Sequence, residues 1–240
     1  MKKLLSIAVA VFAVAAIADS YSPTIGVTAI STTNKNTLVA VSFTSLTNNS
    51  STTISVKDLV CTNGLEVGTW IYVHTGSAYA AWKLESSGWT PAISSTTGGQ
   101  VIDASASDAN QAVNYGKSFW VVLPAAPAVG TPKTFCIYGN ATVVPTYPAI
   151  SAGVNFVANP LQKDATLTVS SPTKGDEIVI PQDGTSLRYN YTVPKANAPA
   201  PYNVAGWKRN GEFVSAITIP AGQGFWYIGA TGTAATLSFE

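Results

Sequence analysis

Short stretches rich in Val, Ile, Thr, Tyr, Phe and Trp recur about every ten residues along this chain, each set off by Gly, Pro, Asn, Asp or Ser. Past residue 18 no segment sustains the period of an amphipathic helix; residues 56–65 and 103–113 could at most form short helical turns. Strands at this spacing have to close on one another as a sandwich or barrel, so the expected fold class is all-β.

Laying the second half of the chain on the first reveals an ordered set of matches. Asn36-Thr-Leu-Val-Ala-Val-Ser-Phe43 answers to Gly153-Val-Asn-Phe-Val-Ala-Asn-Pro160 as an opening strand. Gly68-Thr-Trp-Ile-Tyr-Val73 answers to Gly175-Asp-Glu-Ile-Val-Ile180, and the next strands are Tyr79-Ala-Ala-Trp-Lys-Leu84 and Leu187-Arg-Tyr-Asn-Tyr191. Gly88-Trp89 then matches Gly206-Trp207, and Gly116-Lys-Ser-Phe-Trp-Val-Val122 matches Gly222-Gln-Gly-Phe-Trp-Tyr-Ile228. Each copy ends on one more strand, Thr134-Phe-Cys-Ile-Tyr138 or Ala235-Thr-Leu-Ser-Phe239. The expectation is two tandem β-sandwich-like modules from an internal duplication, residues 36–142 and 153–240. Residues 143–152, with Pro145 and Pro148, join them as a stiff linker. A second Pro-rich stretch, Pro194 to Pro201, cannot be a central strand, because proline donates no ladder hydrogen bond.

The chain opens Met1-Lys2-Lys3, runs apolar from Leu4 to Ala18 with only Ser6 interrupting, and reaches Ala16-Ile17-Ala18 before Asp19. Such a run is shorter than the roughly 20 residues that span a bilayer, and reads as a secretory signal peptide, residues 1–18. The short Lys-Lys leader looks bacterial, which makes the sequons at Asn48, Asn49, Asn140 and Asn190 chance matches. The expected location is therefore extracellular or at the cell surface, after export by the general secretory route. Residues 19–35 form an apolar, hydroxyl-rich arm. It reads either as the first strand of its own module or as a donor strand for the sheet edge of a neighbouring copy.

Charged residues make up only 10% of the chain and the net charge is +1, which leaves no basic surface for nucleic acid and little repulsion between copies. The two cysteines, Cys61 and Cys136, are expected to close a structural disulfide after export, worth roughly 4 kcal/mol in the chain-entropy view. Two cysteines and one distant histidine do not make a metal-ligand set, so neither a metal nor a cofactor is expected. Asp103 and Asp108 could share a loop, but lack the acidic density of a calcium site. His74, the sole histidine, reads as a surface residue at a hairpin end, and no nucleophile motif accompanies it.

Aromatic residues are the most informative side chains. On the strand Trp70-Ile-Tyr-Val-His74, Trp70, Tyr72 and His74 share one face while Ile71 and Val73 share the other. If the aliphatic face is core, an aromatic row faces outward, where it could stack on sugar rings or cover a partner subunit; the competing and favoured reading is that these Trp and Tyr residues bury most of their area within a large sandwich core. Tyr189 and Tyr191 make a second such row. Phe119-Trp120 and Phe225-Trp226 place neighbouring aromatics on opposite faces, so one of each pair belongs to a core.

Behind this leader, Leu38-Val-Ala-Val-Ser-Phe43, Gly116-Lys-Ser-Phe-Trp120 and Gly222-Gln-Gly-Phe-Trp226 resemble a group of uncharacterised secreted β-proteins of the Planctomycetes–Verrucomicrobia type. That resemblance covers most of the chain and implies export and a duplicated β-module, with no catalytic residues to carry over. The function expected is that of a non-enzymatic surface or extracellular structural protein working by self-association or adhesion, as a layer, filament or matrix subunit. The alternative is a carbohydrate-binding protein that uses exposed aromatics. Export predicts that the secreted protein begins at Asp19, as read by N-terminal sequencing; secreted material that retains Met1 would contradict the leader assignment.

Overall fold

The computed structural model describes residues 25–44, 53–76, 78–92, 96–97, 100–102, 112–141, 149–182, 185–195, 197–200, 202–230 and 235–240. The leader, the Asp103–Asp108 loop and most of the expected linker lie outside them.

The first half comprises β1 (Ile25–Thr32), β2 (Asn36–Ala40), β3 (Thr53–Ser55), helix α1 (Val56–Leu59), β4 (Trp70–His74), β5 (Tyr79–Glu85), β6 (Gly88–Pro91), β7 (Thr96–Thr97), β8 (Gln100–Val101), β9 (Ala112–Asn114), β10 (Ser118–Val122) and β11 (Lys133–Asn140). The second comprises β12 (Gly153–Ala158), β13 (Ala165–Ser170), β14 (Glu177–Gln182), β15 (Thr185–Thr192), β16 (Gly206–Arg209), β17 (Glu212–Phe213), β18 (Thr218–Ile219), β19 (Gly224–Gly229) and β20 (Thr236–Phe239). The protein is all-β and sandwich-like, with one short helical turn where the sequence allows it.

Each half packs a large sheet against a small one. In the first, β2-β10-β4-β5-β6 faces the β1-β11 pair; in the second, β12-β19-β14-β15-β16-β17 faces β18-β13-β20. Strand alternation fills the space between the layers. Phe119, Val121, Ile71, Phe135 and Ile137 point inward in the first half, and Phe225, Tyr227, Ile178 and Leu237 do so in the second. These are two separate apolar clusters, one per half.

The two large sheets share their register. Phe119 lies opposite Val39 and Val121 opposite Ile71; Phe225 lies opposite Val157 and Tyr227 opposite Ile178. Leu84 faces Trp89 on the neighbouring strand, and Tyr191 faces Trp207. Gly68 and Gly175 both take positive φ, 94° and 93°, a backbone that only glycine adopts readily, and their N–H groups bond Leu84 O and Tyr191 O at 2.8 and 3.1 Å. Two matches from the sequence need correction. That of the closing strands sets the buried Phe135 and Ile137 against the exposed Thr236 and Ser238, one residue out of phase. Val39 corresponds to Val157, so Asn36 corresponds to Val154 and not to Gly153. A one-residue slip moves every side chain to the other face, and the ladder, unlike the sequence match, cannot tolerate it.

The arm is the first strand of its own half, with β1 pairing along β11 from Ile25 opposite Asn140 to Thr32 opposite Lys133. At the expected linker, Ile150 is buried in the second core and its N–H meets Ala235 O at 3.4 Å. Ala149-Ile150-Ser151 repeats Ala29-Ile30-Ser31, whose Ile30 sits in the first core, so that end of the linker is core-forming chain.

Among the described residues Asp176 is the one buried carboxylate, and it ties the second half together. It accepts the Thr173 and Ala230 N–H groups, both at 2.8 Å, and the Tyr227 hydroxyl. Burial and this bond push the Tyr227 phenol far above its ordinary range, so it stays a donor. Replacing Asp176 by Ala removes the acceptor of the buried Tyr227 hydroxyl and of two part-buried N–H groups, and urea denaturation should show a loss of about 3 kcal/mol. A loss below about 1 kcal/mol would show that these groups find other partners.

Candidate functional site, an aromatic groove

On the outer face of the first large sheet, Trp70, Tyr72 and His74 of β4 stand beside Trp120 of β10. Their strand neighbours Ile71, Val73 and Phe119 fill the core. Ladder register sets the spacing, with Tyr72 between Ala81 and Trp120, and Trp70 between Lys83 and Val122. The small Ala81 leaves room for the rings. Trp70 and Tyr72 stack at 5.8 Å with 24° between their planes, and Tyr79 meets Tyr72 edge-on at 6.1 Å. Ala92 and Ile102 pack behind them as a second, outer apolar cluster.

These side chains line a groove of about 660 Å³, with Trp70, Tyr72, Tyr79 and Trp120 as its aromatic wall and Lys35 and Asn36 at its polar end. The groove has the size of a small-ligand site. Lys35 is held in place through its carbonyl, which accepts Leu123 N–H at 2.8 Å. Burial raises both tyrosines above their ordinary range, so their hydroxyls stay neutral. Among the described residues, neither those hydroxyls nor the indole N–H groups of Trp70 and Trp120 have a hydrogen-bond partner. Lys83, paired with Glu85 at 2.8 Å, lies 6.0 Å above the Trp70 ring. No carboxylate lines the groove among the described residues.

The second half carries the same ladder with different side chains at these positions. Glu177 stands at the position of Trp70, Val179 at that of Tyr72 and Arg188 at that of Ala81, and Arg188 Nη1 donates to Glu177 Oε1 at 2.7 Å. The ladder therefore does not require aromatic side chains at the Trp70 and Tyr72 positions.

Of the four residues the sequence singled out, the structure brings Trp70 and Tyr72 together and sets the other two apart. Tyr189 is 6% exposed and belongs to the second core, in the ladder position that Trp82 holds in the first. Tyr191, half-buried, packs edge-on to Trp207 at 5.3 Å. A row of alternate aromatics looks alike on either face, and β15 turns its row inward where β4 turns its row outward. Two wall residues were missed. Trp120 was legible as the outward partner of Phe119, whereas Tyr79 required knowing that it pairs with His74 across the hairpin.

His74 differs from the expected surface residue. The hairpin end abuts the second half, where the imidazole stacks on Phe156 at 4.7 Å with Tyr79 edge-on at 5.2 Å. Its Nδ1 accepts Gly76 N–H at 3.3 Å. Cys61 and Cys136 are free thiols here, which departs from the expected disulfide. They nevertheless face each other, because Val60 pairs with Ile137 and Cys61 N–H bonds Cys136 O at 2.9 Å. Among the described residues no group of three or more His, Cys, Asp or Glu could hold a metal.

No family model, curated protein or solved structure matches this chain.

Burial holds His74 below its ordinary 6.5 and lowers Lys117 in the same cleft. A lowered folded value means the unfolded chain takes the proton first, so stability is present above 6.5 and is lost as pH falls below it. Thermal melts in a pH series should show His74→Leu flattening the acid-side decline in Tm; parallel wild-type and variant profiles would remove His74 from the junction's energetics.

Proposed function

We propose that this is an exported, non-enzymatic binding protein whose first half holds carbohydrate in the aromatic groove. The observation that carries this reading is the contrast between two halves of shared register. The ladder is satisfied by Glu177, Val179 and Ser186 in the second half, yet at the corresponding positions in the first it carries Trp70, Tyr72 and Tyr79 around an open groove. A pyranose presents a face of C–H groups that packs on an aromatic ring and a rim of hydroxyls that need polar partners. The stacked Trp70 and Tyr72 rings supply the first, and the unpaired indole and phenol groups with Asn36 and Lys35 supply the second. Glycoside hydrolysis needs two acids beside the scissile bond, and among the described residues the lining of this groove supplies neither, which favours binding over cleavage.

The test is a glycan array followed by calorimetry on the oligosaccharides it selects. Trp70→Ala and Tyr79→Ala should each weaken binding at least about tenfold, while Tyr191→Ala leaves it unchanged. Binding that survives loss of Trp70, or no binding to any glycan, would sink the reading.

Self-association remains a second reading, because Ile25 and Val27 on β1 are each 63% exposed and the strand carries no charge that would discourage pairing with another copy. Light scattering over a concentration range, on the protein beginning at Asp19 and on a variant with the exposed Ile25 and Val27 both replaced by Lys, separates the two. Assembly lost on that double replacement supports a structural subunit, and a strictly monomeric protein excludes one.

Export also bears on the cysteines. Both side chains lie on the outer face of β11, since the flanking Phe135 and Ile137 point inward, and opposed residues of antiparallel strands sit within disulfide reach. We infer that the pair closes after export. Intact mass of the secreted protein should be two hydrogens lighter than that of the reduced form; an unchanged mass would leave two structural thiols.

A further inference from the structure

The junction between the halves has a symmetry that neither half shows alone. Ala40 N–H bonds Gly222 O at 2.9 Å, and its counterpart Ala158 N–H bonds Gly116 O at 3.0 Å. Val39 bridges Gln223, and Val157 bridges Lys117. Exchanging each residue for its ladder counterpart turns one member of each pair into the other. Two contacts map onto themselves and so lie on the axis. One is Trp120 against Trp226, with ring centroids 5.6 Å apart, and the other is Ser118 against Gly224. The flanking clefts obey the same relation. One, of about 450 Å³, holds His74, Lys117, Asn155 and Phe156; the other, of about 340 Å³, holds the counterparts Pro181, Gln223, Thr37 and Leu38.

The axis is where the symmetry is broken. A Cβ added at Gly224 would stand 2.5 Å from Ser118 Cβ, closer than side chains can approach, with Leu38 Cγ the next atom at 2.8 Å. Two serines therefore cannot meet across this axis, whereas serine and glycine can. Ser118 Oγ is buried without a hydrogen-bond partner, so what this side chain brings to the junction is volume.

We propose that the junction is a self-complementary interaction surface of the kind that joins two copies of one protein, here fused into one chain. Ser118 and Gly224 are the residues that make unlike halves its fitting partners. A first half meeting another first half would set serine on serine and be rejected by overlap, which directs each first half to a second half. Pairing in this sense also sets the groove, because Trp226 is the ring against which the groove wall Trp120 rests.

Three variants of the full chain test this. Gly224→Ser should lower Tm by at least about 5 °C and shift tryptophan emission to the red as Trp120 and Trp226 gain water. Ser118→Gly alone should leave Tm within about 2 °C of wild type, since it removes only a side chain without a partner. The pair Ser118→Gly with Gly224→Ser places one serine and one glycine back on the axis, and should recover more than half of the Tm lost, with Leu38 turning aside. A Gly224→Ser protein that matches wild type would overturn the proposal. So would a double variant that recovers less than half, or one that fails to fold along with the single variant. Tm and emission are read without any glycan, so these outcomes stand apart from the groove's ligand.

Discussion

Neighbouring residues on a strand must point to opposite faces, and the Phe-Trp pairs at 119–120 and 225–226 convert that rule into the plan of the molecule. Phe119 and Phe225 are fully buried and anchor the two cores. Trp120 and Trp226 are thereby forced outward, where they meet each other across the junction. The core of each half and the contact between halves are thus set by the same two dipeptides. Neither can be altered without disturbing the other, since a shift in register would send the tryptophans inward and the phenylalanines to the junction.

From Trp226 the aromatic contacts continue without a break. Phe156 lies edge-on to Trp226 at 6.3 Å, His74 stacks on Phe156, and Tyr79 bridges His74 to Tyr72 and so to Trp70. Such contacts are weak singly, about 1 kcal/mol beyond burial. Their directional preferences still fix each ring against the next. A groove wall built this way is preorganised from below by the ladder and from the side by the junction. A ligand that stacks on it loses little to ordering the site.

Much of this was legible in the sequence, because the relevant signal is local. Turn residues marked the strands, and alternation in Trp70-Ile-Tyr-Val-His74 separated two faces, Ile71 and Val73 toward the core and Trp70 with the 6%-exposed Tyr72 in the outer apolar cluster. What the sequence could not supply depends on layers. Tyr189 and Tyr191 show the same alternation as Trp70 and Tyr72, and only the second sheet lying over β15 makes Tyr189 core. His74 reads as a hairpin tip until the other half is seen against it. Cys61 and Cys136 are far apart in sequence, and that they sit opposite each other follows from a bridge between β11 and the irregular segment after α1.

The two halves act as each other's control. Where they agree, as at Gly68 and Gly175 or at the Phe-Trp pairs, the shared residue does the same work in both halves, a positive-φ turn in one case and a core-and-junction pair in the other. Where they differ, the ladder is indifferent and another pressure has to account for the choice. Thr69 and Asp176 show the mild form of such a difference. Both make a backbone turn, Thr69 through a hydroxyl bonded to Glu66 O at 2.7 Å and Asp176 through a carboxylate bonded to Thr173 N–H. The outer face shows the strong form. An ion pair between Arg188 and Glu177 closes that face in the second half, and a groove with unpaired donors opens it in the first. The four polar groups of the aromatic wall open to solvent rather than to protein partners, so the fold neither gains nor loses by them, and the difference between the outer faces is one the ladder leaves free.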